Sequence, residues 1–230
     1  MEHHDSTESP AVDGGKFRFC MLLAVRLPIG IQFALCFSIQ EPERPMEPPT
    51  TWTYWVVPGR FLAGCFPGER DTEKQGLKLE QLLEAGVRTF VDLMEPHEVN
   101  HWDEPIRPYA DHLTGLAAKQ SLGVSYRRFP IRDLGLPTHA QMEEVLCHLD
   151  QSLYAGSVVY IHCWGGVGRT GTVVGCWLLR RGLATPETVL EHLAELRKAD
   201  RERGHRPSPE TGQQRRFVQE WSSPASSGDG

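Results

Sequence analysis

Lysine is scarce in this chain of 230 residues: 19 of its 24 basic side chains are arginines, and the formal net charge is −6. That balance excludes a broad cationic face for nucleic acid or anionic lipid, so no nucleic-acid partner is expected. A local anion site built from arginine's planar fork remains compatible with it. The six cysteines are widely separated and include no Cys-x-x-Cys pair, which excludes a zinc ribbon or a dense disulfide framework and points to reduced thiols. No Gly-Lys-Ser/Thr string is present, so a Walker phosphate loop is excluded. No internal repeat is evident. Hydrophobic residues make up 40% and charged residues 23%, an ordinary globular balance. A chain of this length can bury roughly 70% of its unfolded surface without a metal or disulfide staple.

Long apolar runs are also lacking, with one exception at residues 17–39, which are long enough to span a bilayer. Arg26 in the middle of that run costs about 2.5 to 3.5 kcal/mol on insertion scales, and Pro28, Gly30 and Gln32 weaken it further. A cytoplasmic protein is expected, with a membrane anchor at 17–39 as the alternative. Residues 41–50 carry four prolines and read as a linker. The expected organisation is an extension at 1–50, one domain at 51–221 and a flexible Ser/Gly-rich tail at 222–230. Met46 opens a self-sufficient reading of its own. Cys65 follows Leu62-Ala63-Gly64 as in a lipidation site, but no apolar run directly precedes it, so it reads as structural.

Within the domain, the first strand is expected inside residues 55–63, interrupted by a turn at Pro58-Gly59. Leucines at 77, 79, 82 and 83 predict an amphipathic helix over 71–85, stopped by Gly86. Residues 87–93 and 124–131 are β-rich, and 157–163 is a short apolar run of the kind a buried parallel strand shows. Helical spacing recurs at 139–154, 170–181 and 186–199, the last with Pro186 in its first turn and Thr185 as N-cap. Residues 95–120 read as a polar connecting region. The alternation predicts an α/β fold with a central, mostly parallel sheet and helices on both faces.

Residues 162–171 read His-Cys-Trp-Gly-Gly-Val-Gly-Arg-Thr-Gly. The Cys-x5-Arg spacing alone is weak, because Cys20 and Arg26 share it across an apolar stretch that cannot wrap an anion. The context of Cys163 and Arg169 is what carries weight. A buried strand leads in, Gly165, Gly166 and Gly168 interleave with Trp164 and Val167, and a helix leads out. Glycines let successive N–H groups turn toward one dianion, and the helix dipole adds positive potential there. A thiol at a helix N-terminus beside a cation is placed to act as a nucleophile, and Cys163 stands in such a setting. Arg169 offers two parallel donors to phosphoryl oxygens.

This string resembles the signature of the cysteine-dependent protein tyrosine phosphatase superfamily, which includes dual-specificity and bacterial-type enzymes, and the resemblance extends over about residues 52–221. It implies a protein tyrosine phosphatase-like fold and hydrolysis of phosphotyrosine, or also phosphoserine and phosphothreonine, in a phosphorylated protein or peptide, without cofactor or metal. The resemblance further implies a phosphocysteine intermediate on Cys163, phosphate binding by residues 164–169, and a Thr170 hydroxyl assisting thiolate departure. Phe129-Pro130-Ile131-Arg132-Asp133-Leu134-Gly135-Leu136-Pro137 is similar to the family's mobile acid loop, which makes Asp133 the expected general acid, with Asp92 and Asp111 as competitors. Residues 208–217 resemble the glutamine-bearing segment, with Gln214 in a supporting role and Glu210 departing from the tyrosine-specific pattern. His162 is expected to brace the thiolate, and Trp164 either shapes the pocket mouth or packs beneath it. Alternatives are a phosphoinositide or inositol-phosphate phosphatase, a phosphate-binding adaptor, and a metal hydrolase built on His97, Glu98, His101 and Asp103.

Overall fold

The computed structural model describes residues 20–25, 33–38, 46–100 and 102–222. The chain divides into two units, Met1–Pro45 and Met46–Gly230. In the first unit β1 (Cys20–Val25) pairs antiparallel with β2 (Phe33–Ser38), Cys20 opposite Ser38 and Val25 opposite Phe33. The apolar run at 17–39 is thus a strand pair over its described residues rather than one continuous span. Among the described residues no helix is long and apolar enough to cross a membrane. The tail at 223–230, expected to be flexible, lies outside the described residues, as does Arg26 of the decoy pair.

The second unit is built on a five-stranded sheet of order β3-β4-β7-β5-β6. β3 (Thr53–Val57) and β4 (Phe61–Cys65) form an antiparallel hairpin, which corrects the single interrupted strand expected at 55–63. Pro58-Gly59 is the turn expected there, and it reverses the chain: Gly59 takes φ +68° and the Arg60 N–H donates to the Val57 carbonyl at 3.0 Å. The other neighbours are all parallel. β7 (Val158–Cys163) lies between β4 and β5 (Val87–Asp92), and β6 (Ser125–Arg128) closes the far edge. With a strand on each side, five of the six β7 residues are buried, as its unbroken apolar run requires.

Helices cover both faces. α1 (Thr72–Glu84) is capped by Asp71, whose carboxylate accepts from the Glu73 and Lys74 N–H groups, and it packs with α2 (Ala110–Lys119). α3 (His139–Tyr154), α4 (Arg169–Arg180), α5 (Val189–Arg197) and α6 (Gly212–Gln219) pack among themselves on the opposite face. α2 corrects the connecting region expected at 95–120. Its buried stripe is only Leu113, Leu116 and Ala117, and its N-cap, Tyr109, makes no side-chain cap. α5 starts three residues after Pro186 because Thr185 closes a separate turn, accepting from the N–H groups of Thr188 and Val189. α4 is buried from Arg169 to Leu178. The β7–α4 junction therefore sits at the carboxyl ends of β4, β7 and β5, where open α/β sheets place ligands.

Candidate active site

Cys163 ends β7 and Arg169 opens α4, so the five residues between them must turn the chain within one strand–helix junction. The turn is tight. Gly166 takes φ +69°, and a β-carbon there would lie 2.6 Å from the carbonyl carbon and oxygen of Gly64, so the loop packs directly on the end of β4. The Phe66 N–H donates to the Trp164 carbonyl at 3.0 Å, and the Ser208 hydroxyl donates to the Val167 carbonyl at 2.7 Å. Gly168 is the N-cap of α4. Cys163 is buried, and it lies opposite Cys65 in the parallel register of β4 and β7. Burial pushes the Cys65 thiol up to about 11, which keeps it protonated at neutral pH.

Arg169 is held from three sides. Its side chain is 1% exposed, and its two terminal nitrogens grip Glu98: Nη1 donates to one carboxylate oxygen and Nη2 to the other at 3.1 Å. Nη1 also donates to the Ile131 carbonyl at 3.1 Å, and Nη2 lies 3.0 Å from the Asp133 carboxylate. Burial works against the guanidinium charge, but Glu98, the Cys163 sulfur and Asp133 outweigh it and hold the group protonated more firmly than usual. Two buried polar atoms beside the loop, Arg169 Nε and Thr170 Oγ1, have no hydrogen-bond partner. Arg169 Nε can donate a hydrogen bond, and Thr170 Oγ1 can donate or accept one.

His162 is fully buried behind the loop, with Nε2 2.7 Å from the Tyr109 hydroxyl and Nδ1 3.3 Å from the Cys163 carbonyl. Burial pushes the ring below its ordinary pKa, with Asp92 pulling the other way. A neutral ring satisfies both contacts, donating from Nδ1 and accepting at Nε2. Asp92 is itself fully buried and accepts from the Met94 N–H, the Tyr126 hydroxyl and Arg128 Nε. With those partners it braces β5 against β6. Asp111 lies in the first turn of α2.

Asp133, by contrast, is 63% exposed and faces the loop. It sits in a turn closed by the Gly135 N–H donating to the Arg132 carbonyl at 2.9 Å, with Leu134 at φ +57°. The loop is rooted in the sheet through Phe129 N–H to the Asp92 carbonyl and Ile131 N–H to the Leu93 carbonyl. Gln214 is fully buried in a capping box with Thr211, and its Nε2 donates to the Gly135 carbonyl at 3.0 Å. The structure thus brings Cys163, Arg169, Thr170, Asp133, His162 and Gln214 together around residues 164–168.

Sequence reasoning missed the role of Glu98, which it grouped with His97, His101 and Asp103 as metal ligands. Glu98 is engaged by Arg169, His101 lies outside the described residues, and among the described residues no three such side chains cluster. Glu98 stands 71 positions from Arg169, and nothing local signals the pairing. Glu210 pairs with Arg206 at the rim of Gly168. Trp164 is half-buried and packs on Phe66, ring centres 5.7 Å apart. Together with Trp102, Ile106, Arg70 and Arg107 they line a cleft of about 600 Å³ beside the loop.

The family described as "Polymorphic toxin system, DSP-PTPase phosphatase" matches residues 67–183, half of the chain. Dual specificity protein phosphatase CDC14B of Mus musculus is 27% identical over 164 residues, covering 71% of this chain and 30% of that protein. Protein tyrosine phosphatase domain-containing protein 1 of Mus musculus is 25% identical over 128 residues, covering 56% of this chain. The chain spans only 17% of that second relative's length. Among solved structures, PTPMT1 in complex with PI(5)P has the same fold, with a TM-score of 0.53 at 19% identity over 74% of this chain and 92% of that one. The match from residue 67 to residue 183 takes in Asp133 and the whole loop from Cys163 to Arg169, and the chain belongs to the DSP-PTPase family, within the cysteine-dependent protein tyrosine and dual-specificity phosphatases.

Proposed function

We propose that residues 51–221 hydrolyse phosphate monoesters on tyrosine, and also on serine or threonine, of a phosphorylated protein through a phosphocysteine on Cys163. The observation that carries this reading is the buried Arg169 fork beside Cys163, with Arg169 Nε and Thr170 Oγ1 left unpartnered at the loop. In the first step the Cys163 sulfur attacks phosphorus and the ester P–O bond breaks. Asp133 gives the leaving oxygen its proton, while the loop N–H groups and Arg169 take up charge on the equatorial oxygens. Substrate oxygens replace the Asp133 contact with Arg169, which frees that carboxyl group to face the leaving group. In the second step water attacks the phosphocysteine, Asp133 accepts the water's proton, and the S–P bond breaks. Thr170 donates a hydrogen bond to the departing thiolate, and inorganic phosphate leaves.

A protein substrate is favoured over a phosphoinositide by the surroundings of the loop. Arg70 pairs with Glu104 and Arg206 with Glu210, so of these cleft and rim cations and Arg107, only Arg107 has no acidic partner among the described residues. Trp102 is 74% exposed and Leu134 53%, so the rim offers apolar contacts to side chains flanking a phosphorylated residue. A multiply charged inositol headgroup calls for unpaired cations instead. A cytoplasmic setting, where thiols stay reduced, belongs to the same proposal, and Cys65, Cys147, Cys163 and Cys176 are free. The test is a panel of phosphotyrosine, phosphoserine and phosphothreonine peptides, phosphoinositides and 5′-triphosphate RNA, assayed with chelator present. Peptides are expected to turn over fastest, and Cys163→Ser to abolish turnover while retaining phosphate binding. Faster turnover of phosphoinositides than of every peptide would overturn the substrate, and an active Cys163→Ser would overturn the chemistry.

A further inference from the structure

The acid loop and the phosphate loop are joined by one side chain that sequence reasoning assigns only a supporting part. Gln214 is fully buried at the third position of α6, with both ends of its amide engaged. Its Oε1 accepts from the Thr211 N–H at 3.1 Å, and its Nε2 donates to the Gly135 carbonyl at 3.0 Å. The partners fix the orientation of the amide, since only the oxygen can meet an N–H and only the nitrogen a carbonyl. The same amide lies against the phosphate loop: a β-carbon on Gly168 would come within 3.1 Å of its oxygen and 3.2 Å of its nitrogen.

The turn that Gln214 holds needs holding. Leu134 occupies the left-handed region at φ +57°, which a bulky residue adopts only where its surroundings over-determine it. Leu134 is itself 53% exposed, so little packing of its own side chain keeps it there. Two contacts reach the turn from outside, the Asp133 carboxylate to Arg169 and the Gly135 carbonyl to Gln214. Substrate phosphate displaces the first of these in the proposed reaction. The second is then the tie that remains while the proton is transferred.

We propose that Gln214 is a positioning residue that latches the acid loop over the phosphate loop, and so sets how often Asp133 stands in line with the leaving group. The inference rests on the reading of Asp133 as the general acid. It places Gln214 in the leaving-group half of the reaction, acting through the Gly135 main chain rather than on the reacting atoms.

Gln214→Glu separates this role from the capping box. A glutamate at that helix position still accepts from the Thr211 N–H, but it has no N–H for the Gly135 carbonyl. Values of kcat/KM for 4-nitrophenyl phosphate, whose leaving group needs little protonation, and for phenyl phosphate, whose leaving group needs much, are compared in wild type, Q214E, D133N and the double variant. D133N is expected to lose about 10²-fold on phenyl phosphate and less on 4-nitrophenyl phosphate. Q214E also sets a carboxylate against the phosphate loop, which lowers both values alike by repelling the anion, so the latch is read in the ratio: the loss on phenyl phosphate is expected to be about 5-fold larger than on 4-nitrophenyl phosphate, the shift given by one hydrogen bond of ordinary net strength. In the D133N background Q214E should keep only the loss common to both substrates and add no further leaving-group dependence. Should Q214E fail to fold, Q214M, neutral and of similar size, is expected to show the same split. Equal losses on both substrates, or a further leaving-group-dependent loss on top of D133N, overturn the latch while leaving Asp133 as the acid. A D133N variant with no leaving-group dependence overturns the acid assignment, and the latch with it.

Discussion

Replacing Glu98 by glutamine sets two effects of one residue against each other. The Arg169 side chain is 1% exposed and Glu98 12%, so their two-point contact is a desolvated ion pair, not a surface one. Removing one partner of a buried pair costs about 3 to 5 kcal/mol. Here Arg169 keeps the Ile131 carbonyl and the largely exposed Asp133, and the amide of glutamine still accepts one hydrogen bond, which lowers the expected cost to about 2 kcal/mol. In a domain of this size that corresponds to a melting temperature lower by about 4 to 8 °C. Catalysis and ground-state binding should then move in opposite directions. The lost negative charge makes the pocket more attractive to an anion, so inorganic phosphate should bind E98Q at least as tightly as wild type. The unclamped guanidinium loses its alignment, and misplacement on the ångström scale lowers kcat/KM by about 10²-fold. Thermal melts, phosphate inhibition and kcat/KM on one aryl phosphate measure all three quantities. Wild-type kcat/KM together with a wild-type melting temperature would refute the argument that Glu98 holds Arg169 in its working geometry.

Two further variants probe the loop and the histidine behind it. Gly166→Ala combines a left-handed backbone with a β-carbon 2.6 Å from main-chain atoms of Gly64, so it should destabilise the fold by at least about 2 kcal/mol in urea unfolding. An unchanged midpoint would mean the loop does not pack on β4 as described. For His162, burial depresses the folded pKa below the ordinary value of about 6.5, so the unfolded chain binds the proton that the folded chain refuses. The neutral ring's contribution is fully present above about pH 6.5 and is lost as pH falls from there toward the folded pKa. Partly exposed His148 is shifted in the same direction by burial and by Arg127. Melting temperatures measured from pH 7 to pH 5 should fall less steeply in H162N than in wild type, and equal slopes would contradict a neutral, buried His162.

Where the sequence could be read, local chemistry was sufficient. α3 begins and ends where its periodicity places it, because the Thr138–Gln141 capping box fixes its start within four residues of chain. The glycines of the phosphate loop are legible for the same reason, since a strand must turn into a helix over five residues. α2 was not legible, because its stripe of three buried residues is thin and it follows a polar, proline-bearing stretch. The β3–β4 hairpin was lost because Pro58-Gly59 fits either an interruption or a reversal, and only pairing across the sheet decides. Glu98 and Gln214 illustrate the deeper limit. A glutamate in a loop looks ordinary along the chain and Gln214 is marked only by its family resemblance, while the partners of both are tertiary: a buried arginine and the carbonyl of Gly135.

The proposed chemistry requires a covalent bond between phosphorus and the Cys163 sulfur. Rapid quenching of enzyme and an aryl phosphate in acid, followed by peptide mass analysis, should find one phosphoryl increment on the peptide holding Cys163, and none in C163S. Steady turnover with no phosphorylated cysteine, or with the phosphoryl group on another side chain, would contradict it.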